Sequence, residues 1–367
     1  MRAIFDYPLP SFLYFSGALL FLFLAFRFLQ AKRNSRFLSF YFLATCICYA
    51  ILILLVILLP VHSFAAVTLL AWTIFAGGSL LLALIIRQAV ESKLKVTSAF
   101  YSLILLIHLA ITVDVFLIEP GALEIERLTL QSDKLKQELK VALVTDLQTD
   151  HFGAYEKQAL DRVIAEKPHL ILLCGDYIQC MSKEEYDREG GKLTEYLKAS
   201  NFGAPLGAYA VRGNTELPDW QDYFKGSRVE TFEKTTTFPK EQLVLTALNF
   251  YDSFDTKFDA DLSKLAPEHK DKYHIVFGHG PDFARSNTGG DLLLAGHTHG
   301  GQVCAPGFGP LLYLSTVERK WASGHNRIFG KRDLVVSRGI GMERCYAPRL
   351  RFFCHPQFII ITVKPKI

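Results

Sequence analysis

Four apolar runs fill most of the first third of the chain and leave that third few ways to fold in water. Ser11–Leu29, Phe37–Leu59, Phe64–Ile86 and Thr97–Ile118 are each long enough to cross a bilayer. About 20 helical residues span the roughly 30 Å hydrocarbon core. Three of the runs contain no Lys or Arg, and Arg27 sits near the end of the first, where its stem can carry the charge to the interface. A cleaved leader is disfavoured for the first run, because three more follow and no small-residue cleavage site is evident. The reading is a transmembrane domain of four helices over residues 1–122, followed by a separate domain over 123–367.

Charge supports that division. Through Ala122 the chain carries eight Lys and Arg against four Asp and Glu; the remainder carries 32 of each, so the whole net charge of +4 belongs to the apolar third. The basic residues also alternate between loops. Lys32, Arg33 and Arg36 lie in the first connection, none in Pro60–Ser63, and Arg87, Lys93 and Lys95 in the third. The positive-inside rule puts the first and third connections in the cytoplasm. Both termini and the second domain are then expected on the outer side of the cytoplasmic membrane, with the lipid bilayer as a partner. No basic face with interleaved aromatics appears in the second domain, which argues against nucleic acid as a partner.

The second domain repeats one pattern, a short apolar run that ends in metal-type residues. Val141–Thr145 leads into Asp146-Leu147-Gln148, and Leu170–Cys174 into Gly175-Asp176. Gly207–Arg212 leads into Gly213-Asn214-Thr215-Glu216, and His274–Phe277 into Gly278-His279. Asp291–Ala295 leads into Gly296-His297-Thr298-His299-Gly300-Gly301-Gln302. Each piece alone reads as a turn. Together they bring Asp, Gln, Asp, Asn and three His to five strand ends, a donor set suited to Mn, Fe or Zn. Between these runs, Tyr155–Glu166, Glu184–Lys198 and a short Asp219–Phe224 read as helices, and Val229–Phe250 alternates as strands do. Leu123–Gln137 links the two parts, and its start is expected to pair as an edge strand.

In order and wording, these motifs resemble the calcineurin-like metallophosphoesterases, whose pattern is D-x-H, G-D, G-N-H-(D/E), H and G-H-x-H. The resemblance runs from about Glu124 to the C-terminus and includes Val335–Gly341, Pro348-Arg349 and a last strand over Phe358–Val363. It looks most like the bacterial membrane-associated branch, which includes UDP-2,3-diacylglucosamine hydrolases. The resemblance implies a four-layer α/β/β/α sandwich and two divalent metal ions. Asp146, Gln148, Asp176 and His299 would hold the first ion. Asp176, Asn214, His279 and His297 would hold the second, with Asp176 shared. Two positions depart from the pattern. Gln148 stands where an imidazole is expected, with His151 or Asp150 as alternatives. Thr215 stands where the resemblance implies a histidine that protonates the leaving oxygen, and Glu216 is the neighbouring candidate for that proton.

The function expected is hydrolysis of a phosphodiester or pyrophosphate, on a lipid-linked substrate given the anchoring. One rival is a degenerate module that binds metal or ligand without turnover. Another is UDP-2,3-diacylglucosamine hydrolysis, which needs a cytoplasmic site and so conflicts with the loop charges.

Overall fold

The computed structural model describes residues 64–258, 269, 271–286 and 289–366, together with a few isolated helical positions between 40 and 51. Two helices in it are long and apolar enough to cross a membrane, Val67–Glu91 and Lys95–Gly121. They correspond to the third and fourth apolar runs; the first two runs lie essentially outside the described residues. Within this unit Leu81, Leu82, Ile85, Ala89 and Tyr101 form a buried cluster. The helices are interrupted by wide turns at Thr73–Gly77 and Asp114–Ile118, and the His108 ring bonds the Phe75 carbonyl at 3.1 Å.

The second unit runs over Glu119–Cys345 and Leu350–Ile367. Its strands are β1 (Glu124–Ser132), β2 (Leu139–Val144), β3 (Leu170–Cys174), β4 (Ala208–Val211), β5 (Val229–Phe232), β6 (Thr236–Lys240) and β7 (Leu243–Ala247). There follow β8 (Tyr273–Phe277), β9 (Leu292–Ala295), the two-residue β10 (Cys304–Ala305) and β11 (Gly309–Pro310), β12 (Gly324–Ile328), β13 (Arg332–Val336) and β14 (Gln357–Pro365). They form two six-stranded mixed sheets, ordered β1-β14-β2-β3-β4-β5 and β12-β13-β9-β8-β7-β6. The Leu123–Gln137 segment does supply an edge strand, β1, parallel to β14.

Period-two alternation explains why the sheets face each other. In β2, Leu139, Val141 and Leu143 enter the core between the sheets, whereas Ala142 and Val144 face helices. In β8, Tyr273, Ile275 and Phe277 meet that same inter-sheet core, and Val276 turns outward. Strands with both faces covered read as continuous apolar runs, as Leu170–Cys174 does. Each such Leu removed from water stabilises by roughly 1.5–3 kcal/mol.

Two helices cover the first sheet, α1 (Ala154–Ala165) and α2 (Lys183–Ala199). The Glu156 carboxylate accepts the Gly153 N–H at 2.9 Å and so satisfies an orphan donor at the start of α1. Ser182 and Glu185 make a reciprocal cap for α2. The Asp219–Phe224 expectation appears as a 3₁₀ turn, Trp220–Phe224. Residues 259–268, in the β7–β8 connection, lie outside the described residues, so the expected fourth layer is described only in part on the outer face of the second sheet. Among the described residues that face is covered by short turns, Asp282–Arg285 and Arg319–Trp321, and by loop, packed through Phe283, Val317 and Trp321. The sequence between β8 and β12 is rich in Gly and Pro, which stops a long helix from forming there.

Candidate metal centre

β2, β3 and β4 run parallel, as do β8 and β9 in the other sheet. Their carboxyl ends therefore deliver Asp146, Asp176 and Asn214 from one side, and His279, His297 and His299 from the other. Open α/β sheets place ligands at such ends. Donor atoms of Asp176, His279 and His297 lie within 4.8 Å of one another, as do those of Asp146, Asp176 and His299. Asp176 belongs to both groups.

The contacts are specific. His279 Nε2 lies 3.4 Å from Asp176 Oδ2, 2.9 Å from Asn214 Oδ1 and 3.1 Å from His297 Nδ1. His279 Nδ1 bonds the Cys174 carbonyl at 2.8 Å, which fixes the ring. His299 Nε2 is 3.8 Å from Asp146 Oδ1, and Asp146 accepts the His297 backbone N–H at 3.0 Å. Asp146, Asp176, His279 and His299 are buried, His297 is half-buried and Asn214 is exposed, so the site opens to solvent on the Asn214 side.

Backbone strain concentrates here. Asp146, Gln148, Asp176, His297 and His299 all adopt the left-handed region that non-glycine residues avoid. Strain of this kind costs of order 1–3 kcal/mol per residue and persists where function needs the geometry. Glycines let the chains pack beside it. A Cβ on Gly213 would lie 2.2 Å from Asp176 Oδ1, and one on Gly296 2.3 Å from Asp146 Oδ2.

The charges do not balance on their own. Burial pushes Asp146 up to about 7, against the pull of His279. Burial also opposes charge on Asp176, but His279 outweighs it and holds that carboxyl below the usual range. Burial would lower His279, yet Asp176 and Asp146 raise it to about 10. Burial and the charged His279 lower His297 to about 4, and burial with Arg351 lowers His299 well below its ordinary value. The buried carboxylates are thus compensated by a proton on His279, a role that bound cations would take over.

Unsatisfied atoms point the same way. Asp176 Oδ2, both ring nitrogens of His299 and Gln148 Oε1 are buried without a hydrogen-bond partner. Leaving a buried polar atom unpaired costs about 1–3 kcal/mol. Carboxylate, imidazole and amide oxygen donors left open in this way fit divalent cations.

The remaining expected residues sit as follows. Thr215 donates its backbone N–H and hydroxyl to Asp176 Oδ1, at 2.9 and 3.1 Å. Glu216, raised to about 7 by burial and by Asp176, accepts the backbone N–H groups of Asp176, Tyr177 and Gly213. Its oxygens are spent holding two strand ends together. His151 is exposed, Asp150 lies 3.7 Å from Arg344, and neither joins the clustered donors. Sequence reasoning missed Glu343 and Gln179, which hold the Gln148 amide. They follow no metal-type spacing, and no pattern in the chain singles them out.

A two-sheet sandwich whose strand ends gather two overlapping Asp/His groups defines a metallohydrolase-type scaffold. The calcineurin-like phosphoesterase family model matches residues 139–301, which carry all of the clustered donors. Over these residues the chain carries a domain of the calcineurin-like phosphoesterase type. It is similar to an uncharacterised metallophosphoesterase of Campylobacter jejuni, 25% identical over 66% of this chain and 64% of that protein. It is similar to another of Aquifex aeolicus, 26% identical over 68% of this chain and 95% of that one. The phosphodiesterase YaeI of Escherichia coli is 26% identical, over 67% and 90%. The match thus spans less than two thirds of the Campylobacter protein's length and most of the other two.

Proposed function

We propose that the chain is a membrane-anchored phosphoesterase that uses two divalent cations and cleaves phosphodiester or pyrophosphate bonds. The observation that carries this is the buried convergence of Asp146, Asp176, His279, His297 and His299 with unpaired donor atoms. Asp146, Gln148, Asp176 and His299 would hold one cation; Asp176, Asn214, His279 and His297 would hold the other. When bound, such a pair supplies charge that stabilises an in-line displacement at phosphorus. Thr215 locks Asp176 Oδ1 and leaves Oδ2 open, so the shared carboxylate is oriented before any ligand arrives. A threonine hydroxyl does not act as a general acid near neutral pH. Protonation of the leaving oxygen therefore falls to solvent, which favours substrates with stable leaving groups.

The two apolar helices support anchoring, and the loop charges support a multi-pass arrangement with the catalytic domain outside the cytoplasmic membrane. Anchoring holds the site near lipid, which favours a membrane-borne phosphoester over nucleic acid. Thr215 and Gln148 favour a second reading, a metal-binding module without turnover.

Full-length protein in detergent, loaded with Mn²⁺, tests the choice against bis-p-nitrophenyl phosphate and a phospholipid panel. The proposal expects turnover that Asp176→Ala abolishes. Metal binding without such turnover would establish the module instead.

A further inference from the structure

Gln148 is the one residue of the expected metal set that departs from the donor the resemblance implies, an amide in place of an imidazole, and its surroundings fix how that amide lies. The chain of contacts starts at the Arg344 backbone N–H, which can only donate. It donates to Gln179 Oε1 at 2.6 Å, and so sets which end of the Gln179 amide is oxygen. Gln179 Nε2 then faces Glu343 Oε2 at 3.1 Å. The Gln148 Nε2 group donates to both Gln179 Oε1 and Glu343 Oε2, each at 3.1 Å. Reversing the Gln148 amide would set its oxygen against the Gln179 carbonyl oxygen, whose place the Arg344 N–H fixes. Both of its protons are thereby consumed, and Oε1 is left buried and unpaired. The Glu343 backbone N–H is itself tied to Gln302 Oε1 at 2.7 Å, just past the His299–Gly301 turn.

We propose that the Glu343–Gln179 clamp makes Gln148 a fixed neutral oxygen donor, so that the two metal positions differ in metal preference. With Asp146, Asp176 and Gln148 the first position has three oxygen donors and one imidazole, His299. The second has two oxygens, from Asp176 and Asn214, and two imidazoles, His279 and His297. Oxygen donors suit harder cations such as Mn²⁺, and imidazole suits Zn²⁺ or Fe²⁺. The first position should therefore discriminate less in favour of Zn²⁺ than the second. Glu343 touches no substrate in this scheme; it is a positioning residue.

This inference rests on the two-metal reading above, and the test separates the two. Full-length protein in detergent is titrated with Mn²⁺ and, separately, with Zn²⁺, by calorimetry and by the Mn²⁺ paramagnetic resonance signal. Wild type should show two classes of site with unequal Zn²⁺:Mn²⁺ ratios. Gln148→His should raise the ratio at the less discriminating site by about tenfold or more, since it replaces an oxygen by a nitrogen donor. Glu343→Gln should weaken Mn²⁺ at that site by about 10–100-fold, the usual weight of an outer hydrogen-bond partner. The second site's Zn²⁺ affinity should hold in both variants, which shows that they remain folded. Two sites whose ratios do not change in Gln148→His, or Mn²⁺ binding unchanged in Glu343→Gln, would overturn the proposal and leave the phosphoesterase reading intact. A wild type that binds neither metal would overturn both.

Discussion

Gly213→Ala asks whether the close approach of strand ends around Asp176 is required for catalysis. Gly213 has no positive φ, so alanine meets no backbone penalty there. The effect is purely one of space. The new Cβ would lie 2.2 Å from Asp176 Oδ1, 2.5 Å from its backbone nitrogen and 2.9 Å from Cγ, whereas ordinary contact begins at 3.4 Å. Asp176 is flanked by Thr215 and Glu216 hydrogen bonds and cannot turn away freely. The shared carboxylate must therefore retreat by roughly 1 Å, and a misplacement of that size costs on the order of 100-fold in rate. Gly191→Ala is the control. Gly191 is exposed on α2 with nothing within 4 Å of a new Cβ, and alanine there should favour the helix by about 1 kcal/mol. Hydrolysis of bis-p-nitrophenyl phosphate with saturating Mn²⁺ is the assay, and thermal melting checks the fold. Gly213→Ala within about threefold of wild type would refute the argument that Asp176 must sit where it does, given the tenfold-per-1.4 kcal/mol scale of rates.

Metal binding should strengthen as pH rises, because Asp146 at about 7 and His279 at about 10 must both lose protons to ligate. Below the Asp146 value both protons leave on binding; between the two values only the His279 proton leaves. Calorimetry in buffers of different ionisation enthalpy reads this release, and binding without it would contradict the charge balance described. Thr215→His should speed unactivated diesters by up to about 10²–10⁴-fold, with little gain on nitrophenyl esters; equal gains on both would show that leaving-group protonation is not what Thr215 lacks. A periplasm-dependent reporter fused after Ile367 should be active, and activity from a cytoplasm-dependent one would reverse the topology.

Much of the second domain was legible because its strands are buried on both faces. Continuous runs such as Leu170–Cys174 cannot be solvated loops, and the metal-type residues that end them fall on one edge once those strands run parallel. Edge strand β1 was also readable, as was the helix over residues 154–165, where Leu160 and Val163 meet the first sheet. The cover of the second sheet was not. Among the described residues it consists mainly of turns and loop, packed through a cluster that includes Phe283 and Trp321 from distant parts of the sequence. Gln148 showed the same limit. Its position was visible, but which way its amide faces depends on Glu343, 195 residues away. Glu216 looked like a proton donor by its place beside Thr215, yet three backbone N–H groups claim its oxygens.

The central claim is that the buried Asp and His groups form one centre for two cations that share Asp176. Anomalous diffraction from crystals of the full-length protein grown with Mn²⁺ measures it directly. The account predicts two ions per chain about 3.5–4 Å apart, as in two-metal hydrolases, with Asp176 between them. A single ion, or two ions bound away from Asp176, would contradict it.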